Sequence, residues 1–183
     1  MVRANGGFPS RAGAGGHVAV ELTGSSSFGD VDIQAYGGDH GNSDGGAGTV
    51  FKRAAGTAAM LVDNGDRITV GETHLPPSQG LSETELDDLR KNATVIVSNE
   101  AILGVTSNVA ALGLIVDSSA RYIDLGDTQT VFTVRSLMID GTNYTRGGFY
   151  RTNDWNGFPT PSVVSNAGAI FLRKTLGTVL TIF

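Results

Sequence analysis

The chain has 183 residues, a formal charge of -5 and no cysteine, with 26 glycines against 5 prolines and 17% charged residues. Without cysteine there is no zinc finger, thiol nucleophile or disulfide scaffold, and without a basic stripe there is no electrostatic footprint for nucleic acid. Glycine at roughly twice its average share, with little proline, predicts many tight turns between strands of one domain rather than a disordered tract.

Residues 1–7 carry no apolar h-region, and the abrupt start on glycine-rich sequence reads as a mature or excised piece of a longer secreted precursor. Few charges, with Thr, Ser, Asn and Gly left to cover the surface, fit an extracellular or cell-surface β protein. No stretch reaches the ~18 apolar residues of a membrane span.

Within glycine-rich coils at 1–48, two segments alternate with the period of a half-buried strand. Val18, Val20 and Leu22 face one way, and Val31, Ile33 and Ala35 repeat the pattern. Short apolar runs follow around 50–51, 60–62 and 68–70, with Asp63-Asn64-Gly65-Asp66 as a hairpin or tight-turn signal between the last two. A helix is expected at 82–91. Ser82 and Glu85 form a capping box, Arg90 and Lys91 suit its C-terminus, and Leu86 with Leu89 give it one narrow apolar edge. It is expected to lie across a surface or cover an open end of the β stack. Further strands are expected at 94–97, 109–116, 122–125, 131–134, 137–139, 169–172 and 179–182.

Two phrases recur through these strands. A small-residue pair runs into an apolar strand at Gly15-Gly16-His17-Val18, Ala47-Gly48-Thr49-Val50 and Ala167-Gly168-Ala169-Ile170. An apolar triplet closed by aspartate occurs at Met60-Leu61-Val62-Asp63, Leu114-Ile115-Val116-Asp117 and Leu137-Met138-Ile139-Asp140. Asp117 and Asp140 stand 23 positions apart, about one coil of a three-faced parallel β-helix, and Asp63 fits two coils earlier with the helix inserted. Repeats of this kind point to an all-β single domain over 1–183, a parallel β-helix or β-solenoid, with a β-sandwich as the alternative.

The run Gly46-Ala47-Gly48-Thr49-Val50-Phe51, followed by Met60 through Arg67, resembles the glycine-rich β-helix passengers of large secreted proteins in environmental bacteria. Leu137 through Thr145 and Val164 through Ile170 are similar to their closing coils. The resemblance implies a right-handed parallel β-helix at the cell surface, usually without a known activity.

Several residues are candidates for chemistry. Stacked Asp63, Asp117 and Asp140 could form an acidic cleft or share calcium, as in β-helix polysaccharide lyases; the simpler reading is that each aspartate bonds its own turn. Asp39 through Asp44 could ligate calcium but lacks EF-hand spacing, and His17, His40 and His74 are scattered. Phe149, Tyr150, Trp155 and Phe158 crowd one loop, either plugging the core or anchoring a partner or sugar ring. The 175–183 segment, with Leu176, Val179, Leu180, Ile182 and Phe183, must be buried in its own sheet or donated to another copy. Asn92 and Asn143 head Asn-x-Thr motifs, of consequence only in a glycosylating host. The leading expectation is therefore non-enzymatic: a subunit that needs no cofactor and assembles with itself into a filament, sheath or surface layer. A carbohydrate-active β-helix, acting on cell-surface polysaccharide, and an inert spacer in an adhesin are the alternatives.

Overall fold

The computed structural model describes residues 1–7, 12–41, 44–75 and 83–174. They form an all-β structure with one short helix. Its first elements are β1 (Val2–Arg3), β2 (His17–Leu22), β3 (Ile33–Gln34), β4 (Thr49–Ala54), β5 (Thr57–Asp63), β6 (Thr73–Leu75) and α1 (Glu83–Lys91). Next, β7 (Ala93–Ser98), β8 (Ile102–Val105) and β9 (Val109–Ala110) trace one circuit, and β10 (Gly113–Val116), β11 (Tyr122–Asp124) and β12 (Val131–Val134) repeat it. A third circuit comprises β13 (Ser136–Ile139), β16 (Val164–Ser165) and β17 (Ala169–Leu172), with β14 (Thr142–Tyr144) and β15 (Gly148–Arg151) inserted after its first strand.

The circuits stack strand on strand. Leu114 pairs in parallel with both Val95 and Leu137, Ile123 with Leu103 and Val164, and Phe132 with Val109 and Ile170. Each circuit thereby adds one strand to each of three sheets, and its apolar residues turn into a common interior. Leu103, Leu114, Ile123, Phe132, Ile139 and Ile170 are all wholly buried there. Burying one such side chain contributes about 1.5–3 kcal/mol, so this interior dominates the energetics.

The largest sheet has the order β14-β13-β10-β7-β5-β4-β2 and is mixed. Strands β5, β7, β10 and β13 run parallel, but β4 meets β5 antiparallel across Ala55-Gly56, and β13 meets β14 antiparallel across Asp140-Gly141. Both two-residue turns hold positive φ at each position, as a hairpin that follows strand twist requires. The sheet also changes the face it packs. Phe51 beside Met60 points into the main interior, while Val50 beside Leu61 points the other way, onto a smaller cluster of Val18, Ile33, Ala35 and Phe28.

Beneath that smaller cluster, backbone fills the space that side chains fill elsewhere. The amide of Gly38 donates to Gly13 O (2.8 Å), Gly45 to Gly38 O (2.9 Å) and Gly15 to Gly46 O (2.9 Å). A Cβ on Gly45 would land on the Gly13 carbonyl, and one on Gly48 on the Gly16 carbonyl. The glycine richness of 1–48 is thus a demand for close approach.

Two local expectations are corrected, and one alternative is decided. The 109–116 run is two strands of different sheets, because the chain turns a corner at Ala111-Leu112. Of the hairpin or tight turn expected at Asn64-Gly65, the tight turn forms, since Thr69 bridges to Asp44 instead of returning to β5. In Ile68-Thr69-Val70 the polar residue is the buried one: Thr69 Oγ1 donates to Asp44 O (2.9 Å), and both aliphatic neighbours are exposed. Ser82 lies outside the described residues. Leu89 of α1 is buried in the main interior, so the helix closes a side of it against β5, β7 and β9.

Candidate functional site

The aspartates stack as their spacing implies. Val116 and Ile139 are partners, so Asp117 and Asp140 follow one another on adjacent circuits, and Asp63 lies two strands away with Ser98 between. Asp63 and Asp117 are each committed to their own turn. Asp63 Oδ1 accepts from the amide of Gly65 (2.7 Å) and its Oδ2 from Asn99 Nδ2 (2.9 Å). Asp117 Oδ1 accepts from the Ser119 amide (2.9 Å) and hydroxyl (2.8 Å), and these bonds, the amide first, hold its pKa below the ordinary carboxylate value. Asp127 is lowered in the same way by the Gln129 amide and Thr130. Asp63 and Asp117 thus act as latches of their own corners. Among the described residues no three His, Cys, Asp or Glu side chains are grouped to hold a metal ion.

The loop aromatics divide into two pairs. Tyr150 and Trp155 are 0% and 2% exposed and enter the main interior, whereas Phe149 and Phe158 remain 45% and 43% exposed. Tyr144, which the sequence did not single out, sits at the centre of this group. It packs edge-on against Tyr150 (5.4 Å between ring centroids), Trp155 (6.0 Å) and Phe158 (5.5 Å). Tyr150 Oη donates to Arg146 O (2.6 Å), fixing the loop. Phe149 instead lies on the outer face of its sheet, between the Phe171 ring (4.7 Å) and the Arg151 guanidinium (4.5 Å). The inward pair closes the C-terminal end of the stack and leaves the outward pair on the surface.

Two grooves that gather charged or titratable side chains were not legible in the sequence. In one, of about 420 Å³, Arg53 on β4 lies between Glu21 on β2 (3.5 Å) and Asp88 on α1 (3.2 Å). Asp88 is only 7% exposed, so this pair ties the helix to the sheet. The other, of about 290 Å³, collects His17, Thr49, Glu72 and His74 beside the glycine corners. There His17 Nδ1 lies 2.6 Å from Thr49 Oγ1, and His74 Nε2 3.6 Å from Glu72 Oε2. Only topology brings these residues together, and no local spacing announces them.

No protein-family model matches the chain, and neither a curated protein nor a solved structure does.

In the 39–44 loop both carboxylates bind their own backbone: Asp44 Oδ1 accepts from the His40 amide (2.6 Å) and Asp39 Oδ1 from Gly41 (3.3 Å). Leu176, Val179, Leu180, Ile182 and Phe183 lie outside the described residues. Among the described residues no helix is long and apolar enough to cross a membrane.

Proposed function

We propose that the chain is a non-enzymatic extracellular structural protein, a right-handed parallel β-helix that assembles with copies of itself into a filament, sheath or surface layer. The parallel registers of three successive circuits support the β-helix. The observation that carries the assembly is the asymmetry of the stack's two ends. At the C-terminal end, two of the sheets finish on short antiparallel strands, β14 of three residues and β15 of four. At the other end of the largest sheet lies β2, six residues long, with no described strand beyond it. An edge of that length, with no partner strand among the described residues, would be a template for another chain.

Negative-stain electron microscopy of the purified chain, beside a version truncated after Lys174, tests this reading. Ordered assemblies from the full chain are the expected result, and their loss on truncation would assign 175–183 to the contact. Monodisperse particles from the full chain at every concentration would overturn the proposal.

A further inference from the structure

We infer that Asn156-Gly157 is a site of covalent self-modification, at which the folded chain loses the side-chain amide of Asn156 as ammonia and thereby loosens its aromatic plug. The inference goes beyond assembly and does not depend on it. The chain contains three Asn-Gly pairs, at 5–6, 64–65 and 156–157. In such a pair the glycine nitrogen can attack the asparagine side chain, because glycine has no Cβ to obstruct the approach. The glycine amide gives its proton to a solvent base, its nitrogen bonds to Asn Cγ, and the side-chain nitrogen departs with a proton as ammonia. Water then opens the cyclic imide at either carbonyl. One product is aspartate, and the other is isoaspartate, whose main chain is longer by a methylene. Water is the only co-reactant, and nothing is oxidised or reduced.

The fold blocks this step at two of the pairs. The Gly6 amide donates to Tyr36 O (2.8 Å), while Asn5 Oδ1 accepts from the Tyr36 amide (2.9 Å). The Gly65 amide donates to Asp63 Oδ1 (2.7 Å), a carboxylate that also opposes loss of its proton. Asn64 is wholly buried, with Oδ1 and Nδ2 both bonded to the glycine segments. At each pair the attacking nitrogen and the attacked side chain are held apart by partners of their own.

Asn156-Gly157 differs on each count. Trp155 and Phe158 bridge antiparallel across it, and its two residues hold φ of 51° and 83°. The Phe158 amide closes this turn on Trp155 O (2.9 Å), whereas among the described residues the Gly157 amide has no acceptor. Gly157 is exposed and Asn156 half-buried, so water and base reach both. Arg146 Nη1 donates to Asn156 O (3.3 Å), the carbonyl of the peptide bond whose nitrogen attacks. A cation there favours the deprotonated amide, since its charge spreads onto that oxygen. Asn156 itself is restrained by Nδ2 donating to Arg146 O (3.2 Å). Isoaspartate lengthens this turn and draws Phe158 away from Tyr144, against which its ring packs at 5.5 Å.

The test is to incubate the full chain at mildly alkaline pH, folded and in urea, and to follow each Asn-Gly pair by peptide mass spectrometry. Dividing each folded rate by its rate in urea removes the influence of neighbouring sequence. The ratio at Asn156 should exceed those at Asn5 and Asn64 by about tenfold or more, the factor that a retained hydrogen bond supplies. A ratio at Asn156 no higher than at either other pair overturns the inference. The effect on the plug has its own reporter, because Trp155 is the chain's single tryptophan and is 2% exposed. Its emission should shift to the red in step with conversion of Asn156. Asn156→Gly accepts the positive φ but has no side-chain amide to lose, so its emission should hold constant through the same incubation. An equal red shift in Asn156→Gly, or none in the converted natural chain, overturns the loosening of the plug.

Discussion

The glycine-rich segments between 4 and 48 and the circuits between 93 and 172 both bring strand ladders together, but they fill the space between ladders by opposite means. In the circuits the filling is Leu, Ile, Val and Phe, and burial of apolar surface supplies the stability. In the glycine segments backbone packs on backbone, and the gain comes from hydrogen bonds such as Gly38 to Gly13 and Gly48 to Ala35. Those bonds must offset the larger ordering entropy of glycine. The side-chain interior should therefore suffer most from removing atoms, and the glycine region from adding them.

The largest effect is expected at Phe132, wholly buried between Val109 and Ile170 of the neighbouring circuits. Phe132→Ala should cost about 3–5 kcal/mol in urea unfolding, the usual penalty for emptying an aromatic core position. A loss under about 1 kcal/mol would show that the interior is loosely packed and would remove one half of the contrast.

Adding a single methyl tests the other half. Gly45→Ala and Gly48→Ala drive Cβ onto carbonyls of Gly13 and Gly16, which cannot rotate away, so each should cost about 1–3 kcal/mol. Gly104→Ala in β8 is the control. There the new Cβ meets Glu72 Oε2 at 2.6 Å and His74 Cδ2 at 3.1 Å, side-chain atoms that can swing aside, so the cost should stay under about 1 kcal/mol. Equal losses at all three sites would mean that close backbone approach is not what the glycines provide.

Most strands were legible from period-two alternation, because burial on one face leaves that mark directly. The register of the circuits was legible too, since Asp117 and Asp140 recur at the coil length and the helix accounts for the longer interval from Asp63. What escaped had no local signature. Ala55-Gly56 makes a hairpin although alanine rarely takes positive φ, because the facing strands impose it. The swap of packing face between Phe51 and Val50 follows from that reversal. Tyr144 was invisible as the hub of the aromatic group, and Arg53 with Asp88 as a tie, because each gains its role from residues brought close only by the fold.

The seam between the two regions should show an intermediate effect. Asn64 is wholly buried, with Oδ1 accepting from the Gly37 amide (2.9 Å) and Nδ2 donating to Gly45 O (3.2 Å) and Arg67 O (2.7 Å). Asn64→Ala strands a buried amide and two carbonyls, so a loss of about 1–3 kcal/mol is expected. Hydrogen exchange should place the opening in the glycine segments rather than in the circuits. Uniform loss of protection across both regions would contradict a seam at this residue.

The mildest probe is pH, and its two ends act on different regions. Tyr36, beside Arg67 at 5.5 Å in the glycine region, has its pKa raised from the ordinary 10.0, chiefly by burial and then by Asp63 and Asp32. The fold favours its neutral form. Its contribution is fully present below the unfolded value and is lost as pH rises through the folded one. Asp117, on a circuit corner, is shifted down by the Ser119 amide and hydroxyl. Its contribution is present above the unfolded value, about 3.9, and is lost as pH falls through the folded one. Tyr36→Phe should thus flatten the alkaline limb of a stability–pH curve and leave the acid limb alone, while Asp117→Asn should do the opposite. If either substitution flattened both limbs, the two regions would titrate as one unit, and the distinction between a backbone-packed and a side-chain-packed half would lose its electrostatic support.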